Sequence, residues 1–203
     1  LIVKDGDISD EISQLISSEA IDLVIVGTRG RTGIKKLLLG SVAEKIFRNS
    51  PCPVVTVGPN VRVPRGPGAE LTHVLVPTDF SPSSRSALEY AQFVARQHHA
   101  RLTLLNVLDG PISDVQQLLG RSRAGLRDFA AGEALLTSGP ALVTRAGPVV
   151  ETVLNFAHKE RVDFIVLGVR SAAGLKDHAI WPNAYGIVCG APCPVLTVRD
   201  HQL

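Results

Sequence analysis

The sequence predicts an α/β fold: a doubly wound five-stranded parallel sheet, present as one partial and one complete repeat. Three observations carry this. Short apolar runs bounded by Asp and Gly, Leu23 to Val26 and Phe164 to Leu167, are far below membrane-spanning length and suit strands covered on both faces. They alternate with segments whose apolar residues recur at helical spacing, which implies parallel pairing through right-handed crossovers. A shift of 141 positions also aligns residues 1–57 with 142–198 without a gap. Gly6 lands on Gly147, Asp22 on Asp163, Gly27 on Gly168, Gly33 on Gly174, and Pro51-Cys52-Pro53-Val54 on Pro192-Cys193-Pro194-Val195.

Each copy of the shared segment reads as a short strand, a helix, a buried strand, a glycine-bearing loop, a second helix and a final strand. In the first copy Leu1-Ile2-Val3 is the end of a strand, and Ile8, Ile12, Leu15 and Ile16 make the helix face ahead of Asp22. Val149, Val153, Phe156 and Ala157 repeat that face in the second copy. Ahead of the second copy lies material the first one lacks: a strand His73 to Thr78, a helix, a strand Leu102 to Val107 and a weaker helix. The first of these helices has Ser81 at its N-cap, Pro82 at its first position and an apolar face of Ala87, Leu88, Ala91, Val94 and Ala95. Gly- and Pro-rich residues without periodicity make a linker over 59–71, between a partial repeat over 1–58 and a complete one over 72–200. A half-sheet leaves a strand edge bare, so the expectation is that the natural protein has the missing half.

The 203 residues carry a formal charge of +2, with Lys and Arg scattered, so neither a nucleic acid nor a membrane surface is expected as partner. Three cysteines outside any C-x-x-C spacing argue against a disulfide framework, and no signal peptide is visible; the expected location is cytoplasmic.

The chemical signature is Gly27-Thr28-Arg29-Gly30 followed by Gly40-Ser41. In an open α/β sheet, ligands sit at the carboxyl ends of strands where the winding switches, and the loop after Val26 leaves such an end. Gly27 and Gly30 let backbone N–H groups approach phosphate oxygens, and Gly40-Ser41 presents helix N-terminal amides to an anion. Arg29, Arg31, Lys35 and Lys36 place four positive charges in one loop. No lysine follows Gly40, so this is not a P-loop. The competing reading makes the glycines turn and cap residues, Ser41 an N-cap and the basic residues a solvated loop.

With Asp22 ahead of the strand and Ser50-Pro51-Cys52-Pro53-Val54-Val55 behind the helix, Gly27 to Ser41 resembles the universal stress protein family, fitting its G-x2-G-x9-G-S/T motif at every position. The resemblance covers residues 1–58 and 72–198 and implies the adenine nucleotide alpha hydrolase-like fold. It implies further that ATP, with or without Mg, binds through Val26, Gly27, Arg29, Gly30, Gly40, Ser41 and Val42. An aspartate after the first strand meets adenine in this family; the matches here are Pro77, Thr78 and Asp79, with Val107 as a further contact, and all lie in the second repeat. There the cradle is broken: Gly30 becomes Ser171, Gly40 becomes Trp181 and Ser41 becomes Pro182, a residue without an N–H. Each repeat thus holds half a site. Asp79 equally suits a structural role, ordering the turn into the helix. Pairing of repeats through their final strands, as an internal pseudo-dimer or a homodimer, is also implied by the family.

Cys52 and Cys193, in equivalent Pro-Cys-Pro turns, read as core thiols. Cys189 lacks partners for a metal site, His98-His99 suit a helix C-terminus, and His178 in the degenerate loop has no assignable partner. The readings in order are an adenine-nucleotide-binding stress-response protein, a scaffold that binds no nucleotide, and a slow ATPase or transferase. The last lacks a visible base, metal set or nucleophile, so no enzyme is expected.

Overall fold

The computed structural model describes residues 3, 5–28, 39–62, 70–109, 115–130, 139–169 and 182–199. In chain order these form α1 (Ile8–Ser18), β1 (Val24–Gly27), α2 (Ser41–Asn49), β2 (Val54–Val57), β3 (His73–Pro77), α3 (Pro82–Gln97), β4 (Arg101–Leu108), α4 (Val115–Ala130), β5 (Ala141–Ala146), α5 (Val149–Lys159), β6 (Phe164–Val169), α6 (Pro182–Gly190) and β7 (Val195–Arg199). No helix among the described residues is long and apolar enough to cross a membrane.

All seven strands join one sheet in the order β1-β2-β7-β6-β3-β4-β5. The five strands from β7 to β5 are parallel and make the complete doubly wound unit. The first copy adds its two strands at the β7 side: β1 and β2 are parallel, and β2 pairs antiparallel with β7, Val54 opposite Thr197 and Thr56 opposite Val195. The final strands of the two copies therefore meet inside one chain.

Alternation along the strands builds two cores. Val74 and Val76 of β3 face the side where Ala87, Leu88, Ala91 and Ala95 of α3 pack with Leu126 and Phe129 of α4. Leu75, between them, faces the other side, with Val153 and Ala157 of α5 and Ile187 and Val188 of α6. That second core also takes in Ala43 and Phe47 of α2, so apolar burial as well as strand pairing welds the copies together. Polar contacts add to it. Arg199, at the end of β7, donates from Nη1 to Ser50 O (2.9 Å) and from Nη2 to Phe47 O (2.7 Å), satisfying carbonyls at the C-terminus of α2.

Ser81 caps α3 as the sequence expects, accepting from Ser84 N, with Pro82 opening the helix. The strand expected at residues 1–3 does not form at Val3, the described residue of the three. Its counterpart β5 is held by β4, and among the described residues no strand takes the place of β4 beside Val3. Residues 63–69 of the expected linker lie outside the described residues.

Candidate functional site

The winding reverses between β3 and β6. The helix after β3 packs on one face of the sheet and the helix after β6 on the other. At the carboxyl ends of these strands, the position where open α/β sheets bind ligands, lies a cavity of about 240 Å³. Pro77, Thr78 and Asp79 leave β3 into it, Leu105 and Val107 of β4 wall one side, and Leu167, Gly168 and Val169 of β6 wall another. The first turn of α6 from Pro182 to Ala184 closes the far end, with Val149 and Val153 of α5 beneath. The four second-repeat residues that the family resemblance implies, Pro77, Thr78, Asp79 and Val107, are thus brought together around one cavity.

The loop carrying Asp79 is held firmly. Thr78 N–H donates to Leu105 O (2.9 Å), and Thr78 O accepts from Asn106 Nδ2 (2.8 Å). Asn106 Oδ1 in turn accepts from Ser122 Oγ of α4 (2.7 Å), which also meets Thr144 Oγ1 of β5 (2.7 Å). Phe80 takes a left-handed φ of 65°, unusual for an aromatic residue. Its ring sits against Phe129, with centroids 5.8 Å apart, and lies where a Cβ on Gly125 would come within 3.1 Å. Contacts to α4 hold this turn, and the turn aims Asp79.

Asp79 Oδ1 accepts from Ser84 Oγ (2.8 Å) and Ser81 N (3.1 Å). Burial works to raise its pKa, but these hydrogen bonds from Ser81 and Ser84 outweigh burial and hold the carboxyl below its ordinary value. Asp79 thus orders the start of α3 through Oδ1 while its side chain lines the cavity.

The first-repeat motif is arranged differently. Val26 packs against the shared core, and Gly27 ends β1 in the open, where an added Cβ would meet nothing within 4 Å. Arg29 and Gly30 lie outside the described residues, as do Ser171, His178 and Trp181 of the second copy. Gly40, not Ser41, is the N-cap of α2, and no side chain caps it. That corrects the reading of Ser41 as cap: Ser41 and Val42 occupy the exposed first turn, whose N–H groups have no intrahelical acceptor and suit an anion. Leu39 N–H, one residue before the cap, donates to Tyr185 Oη of α6 (3.2 Å), so the second copy supports the entry to the cradle of the first.

Because β2 and β7 run antiparallel, the carboxyl ends of β1 and β6 point to opposite ends of the sheet. The Gly27–Ser41 segment and the cavity therefore lie at opposite ends of the sheet and cannot hold one ligand between them.

Sequence reasoning missed Ser84, Gly168, Val169 and Asn183 in the cavity wall. Gly168 carried a signal, since it aligns with Gly27; a Cβ there would fall 2.3 Å from the Ser83 backbone, so the glycine lets α3 close onto β6. The cysteines are quiet. Burial pushes the Cys193 thiol up to about 12 and also raises Cys189. Cys52 is only half-buried, its Sγ 3.5 Å from Ser50 Oγ, because the turn entering β2 has less protein over it than its counterpart entering β7. Among the described residues no cluster of His, Cys, Asp or Glu could hold a metal ion.

A model of the universal stress protein family matches residues 1–58 and 70–199. A universal stress protein of Methanocaldococcus jannaschii is 42% identical over 53 residues, 26% of this chain and 31% of that protein. One from Bacillus subtilis is 38% identical over 56 residues, 28% of this chain and 38% of that protein; the chain thus spans under two fifths of either relative. A Thermus aquaticus universal stress protein is 29% identical over 135 residues, 62% of this chain and 97% of its own. Among solved structures, a universal stress protein from Archaeoglobus fulgidus superposes with a TM-score of 0.73 at 23% identity, covering 98% of this chain and 71% of that one. Another, solved in complex with cAMP, gives 0.50 at 20% identity over 65% of this chain and 99% of that one.

Proposed function

This chain belongs to the universal stress protein family, and from that premise we propose that it is a cytoplasmic stress-response protein that binds an adenine nucleotide without turning it over. The observation that carries the reading is the cavity at the winding switch, where Pro77, Thr78, Asp79 and Val107 converge among apolar walls suited to a flat heterocycle. A relative solved with cAMP adds support for adenine as the base.

The two ends of the sheet each offer part of a nucleotide site, for separate molecules. The second-repeat cavity takes the base. Its phosphate end is poorer in donors, because α6 opens on Pro182, which has no N–H. The Gly27–Ser41 cradle, at the opposite end of the sheet, suits the phosphates of a separate ATP molecule: α2 opens on a bare glycine cap, and Arg29, Arg31, Lys35 and Lys36 stand in the intervening loop sequence. Mg, when it accompanies ATP, would screen the phosphate charge at that end. The one carboxylate–hydroxyl pair in the cavity wall, Asp79 with Ser84, is engaged in ordering the start of α3, and hydrogen bonds hold the Asp79 carboxyl below its ordinary value, which makes it a weak base and favours binding over catalysis.

Calorimetry with ATP, AMP, cAMP and adenosine tests this. Val107→Phe, which fills the cavity, should abolish binding of all four to this chain, while Gly40→Trp should leave adenosine binding intact. Binding that survives Val107→Phe and is lost in Gly40→Trp moves the site to the first repeat. If no adenine compound binds the unmodified chain, the reading is wrong. A second reading, a scaffold without nucleotide, is favoured by the β2–β7 pairing, in which the copies associate through strands that contribute no residue to the cavity wall.

A further inference from the structure

We propose that the second-repeat cavity discriminates by charge, taking the uncharged nucleoside in preference to any of its nucleotides, so that phosphate on the sugar weakens binding. That the base is adenine rests on the function proposed above; the ranking by charge does not.

The sign of the site carries the inference. Among the described residues that wall the cavity, Asp79 alone bears a charge, and it is negative. Hydrogen bonds from Ser81 and Ser84 hold its carboxyl below the ordinary value, so it is ionised at neutral pH. The same bonds take up donors that an anion would need. Ser81 N–H and Ser84 Oγ both donate to Asp79 Oδ1, and Ser84 N–H donates to Ser81 Oγ (3.3 Å). The apolar side chains of Leu105, Val107, Val153 and Leu167 add no donor to the wall.

The sequence after β6 offers little to offset this. Where the first copy has Arg29, Arg31, Lys35 and Lys36, the second has Arg170, Ala172, Lys176 and Asp177. The last of these pairs reverses a charge, and Pro182 removes one N–H from the first turn of α6. That turn keeps the amides of Asn183 and Ala184, and a helix dipole favours an anion by about two- to fivefold. A unit negative charge within about 10 Å of the Asp79 carboxylate, at an effective dielectric constant of about 20, is disfavoured by about fifteenfold. Repulsion therefore exceeds the dipole. An uncharged ribose escapes it, and its hydroxyls can donate to a carboxylate where an ionised phosphate cannot.

The test follows the methyl signals of Val107 and Val153 by NMR in the full chain during titration with adenosine, AMP and ATP, so that binding elsewhere on the molecule does not count. Adenosine should bind more tightly than AMP by about tenfold, and ATP no more tightly than AMP. The sulfamate ester of adenosine, which carries an uncharged group of phosphate size, should bind within about threefold of adenosine. Asp79→Asn keeps the shape and the acceptor for Ser84 but removes the charge, and should bring AMP within about threefold of adenosine. AMP or ATP binding as tightly as adenosine overturns the proposal and leaves the adenine reading in place. A sulfamate as weak as AMP overturns it too, because size and not charge would then decide; that comparison needs no variant to fold. An AMP deficit that persists in folded Asp79→Asn overturns it as well. If adenosine moves neither methyl signal, the proposal and the adenine reading fall together.

Discussion

Replacing Gly168 by alanine tests how the cavity is built. The added Cβ would lie 2.3 Å from both the carbonyl carbon and the oxygen of Ser83 and 2.5 Å from Ser84 N. Ordinary van der Waals contact begins near 3.4 Å, so the start of α3 must retreat by about 1 Å, and backbone atoms cannot rotate out of the way as a side chain would. Overpacking of this kind costs typically about 1–3 kcal/mol, and the backbone partners argue for the upper end. For a chain of this size each kcal/mol moves the melting temperature by about 2–4 °C, so a fall of about 6–12 °C is expected by calorimetry or circular dichroism. The retreat also pulls Ser84 away from Asp79 Oδ1, so adenosine binding should weaken with stability. Gly27→Ala is the matched control: the same substitution at the equivalent position, with open space around it, should change stability by no more than about 0.5–1 kcal/mol, towards greater stability. Equal losses in the two variants would refute the argument, since they share everything except the helix packed against one of them.

Arg199→Ala removes two charged hydrogen bonds to the C-terminal carbonyls of α2 and should cost about 2–3 kcal/mol; amide exchange should then quicken in α2 and at the β2–β7 junction before it does in α3. His73 gives a pH dependence. It is buried, with Nδ1 3.2 Å from Glu160 O and Nε2 2.9 Å from Thr103 Oγ1, and burial is the main cause of a pKa below its ordinary 6.5. As pH falls, the unfolded chain takes this proton before the folded one, so the stability held above pH 6.5 is lost progressively as pH drops through the folded value. Urea titrations between about pH 7.5 and pH 5 should show that decline, and His73→Gln should flatten it.

Much of this architecture was legible because the duplication writes it twice. The offset of 141 located both copies and their strands, capping chemistry located the start of α3 at Ser81-Pro82, and the family resemblance named the residues leaving β3 and β4 that line the cavity. The strands and the helix start rest on local signals, periodicity and capping chemistry, whereas the cavity residues rest on the resemblance. The direction in which the copies meet was not legible, because Val54 opposite Thr197 is a contact between residues 143 apart that either strand sense would satisfy by composition. Nor was the left-handed Phe80, whose backbone is held by Gly125 and Phe129 of a helix some 45 residues later. The strand expected at the first residues failed for the same kind of reason. A strand is a property of a pair, and periodicity in one segment cannot report whether its neighbour is there.

The β2–β7 junction also sets an order of events during synthesis. The residues of β1 and β2 leave the ribosome early, but Val54 must wait for Thr197, and at about 5–20 residues per second that delay is roughly 7–30 s. Through that interval the Val24–Gly27 and Val54–Val57 pair waits with its β2 edge unpaired, lacking the partner that joins it to the rest of the sheet. The second copy, contiguous in sequence, can collapse around β3, β4 and α3 first and present β7 as a finished template. The first copy is thus the last part of this chain to be secured, and a chaperone that shields apolar strand edges would act on residues 24–57 before any other segment.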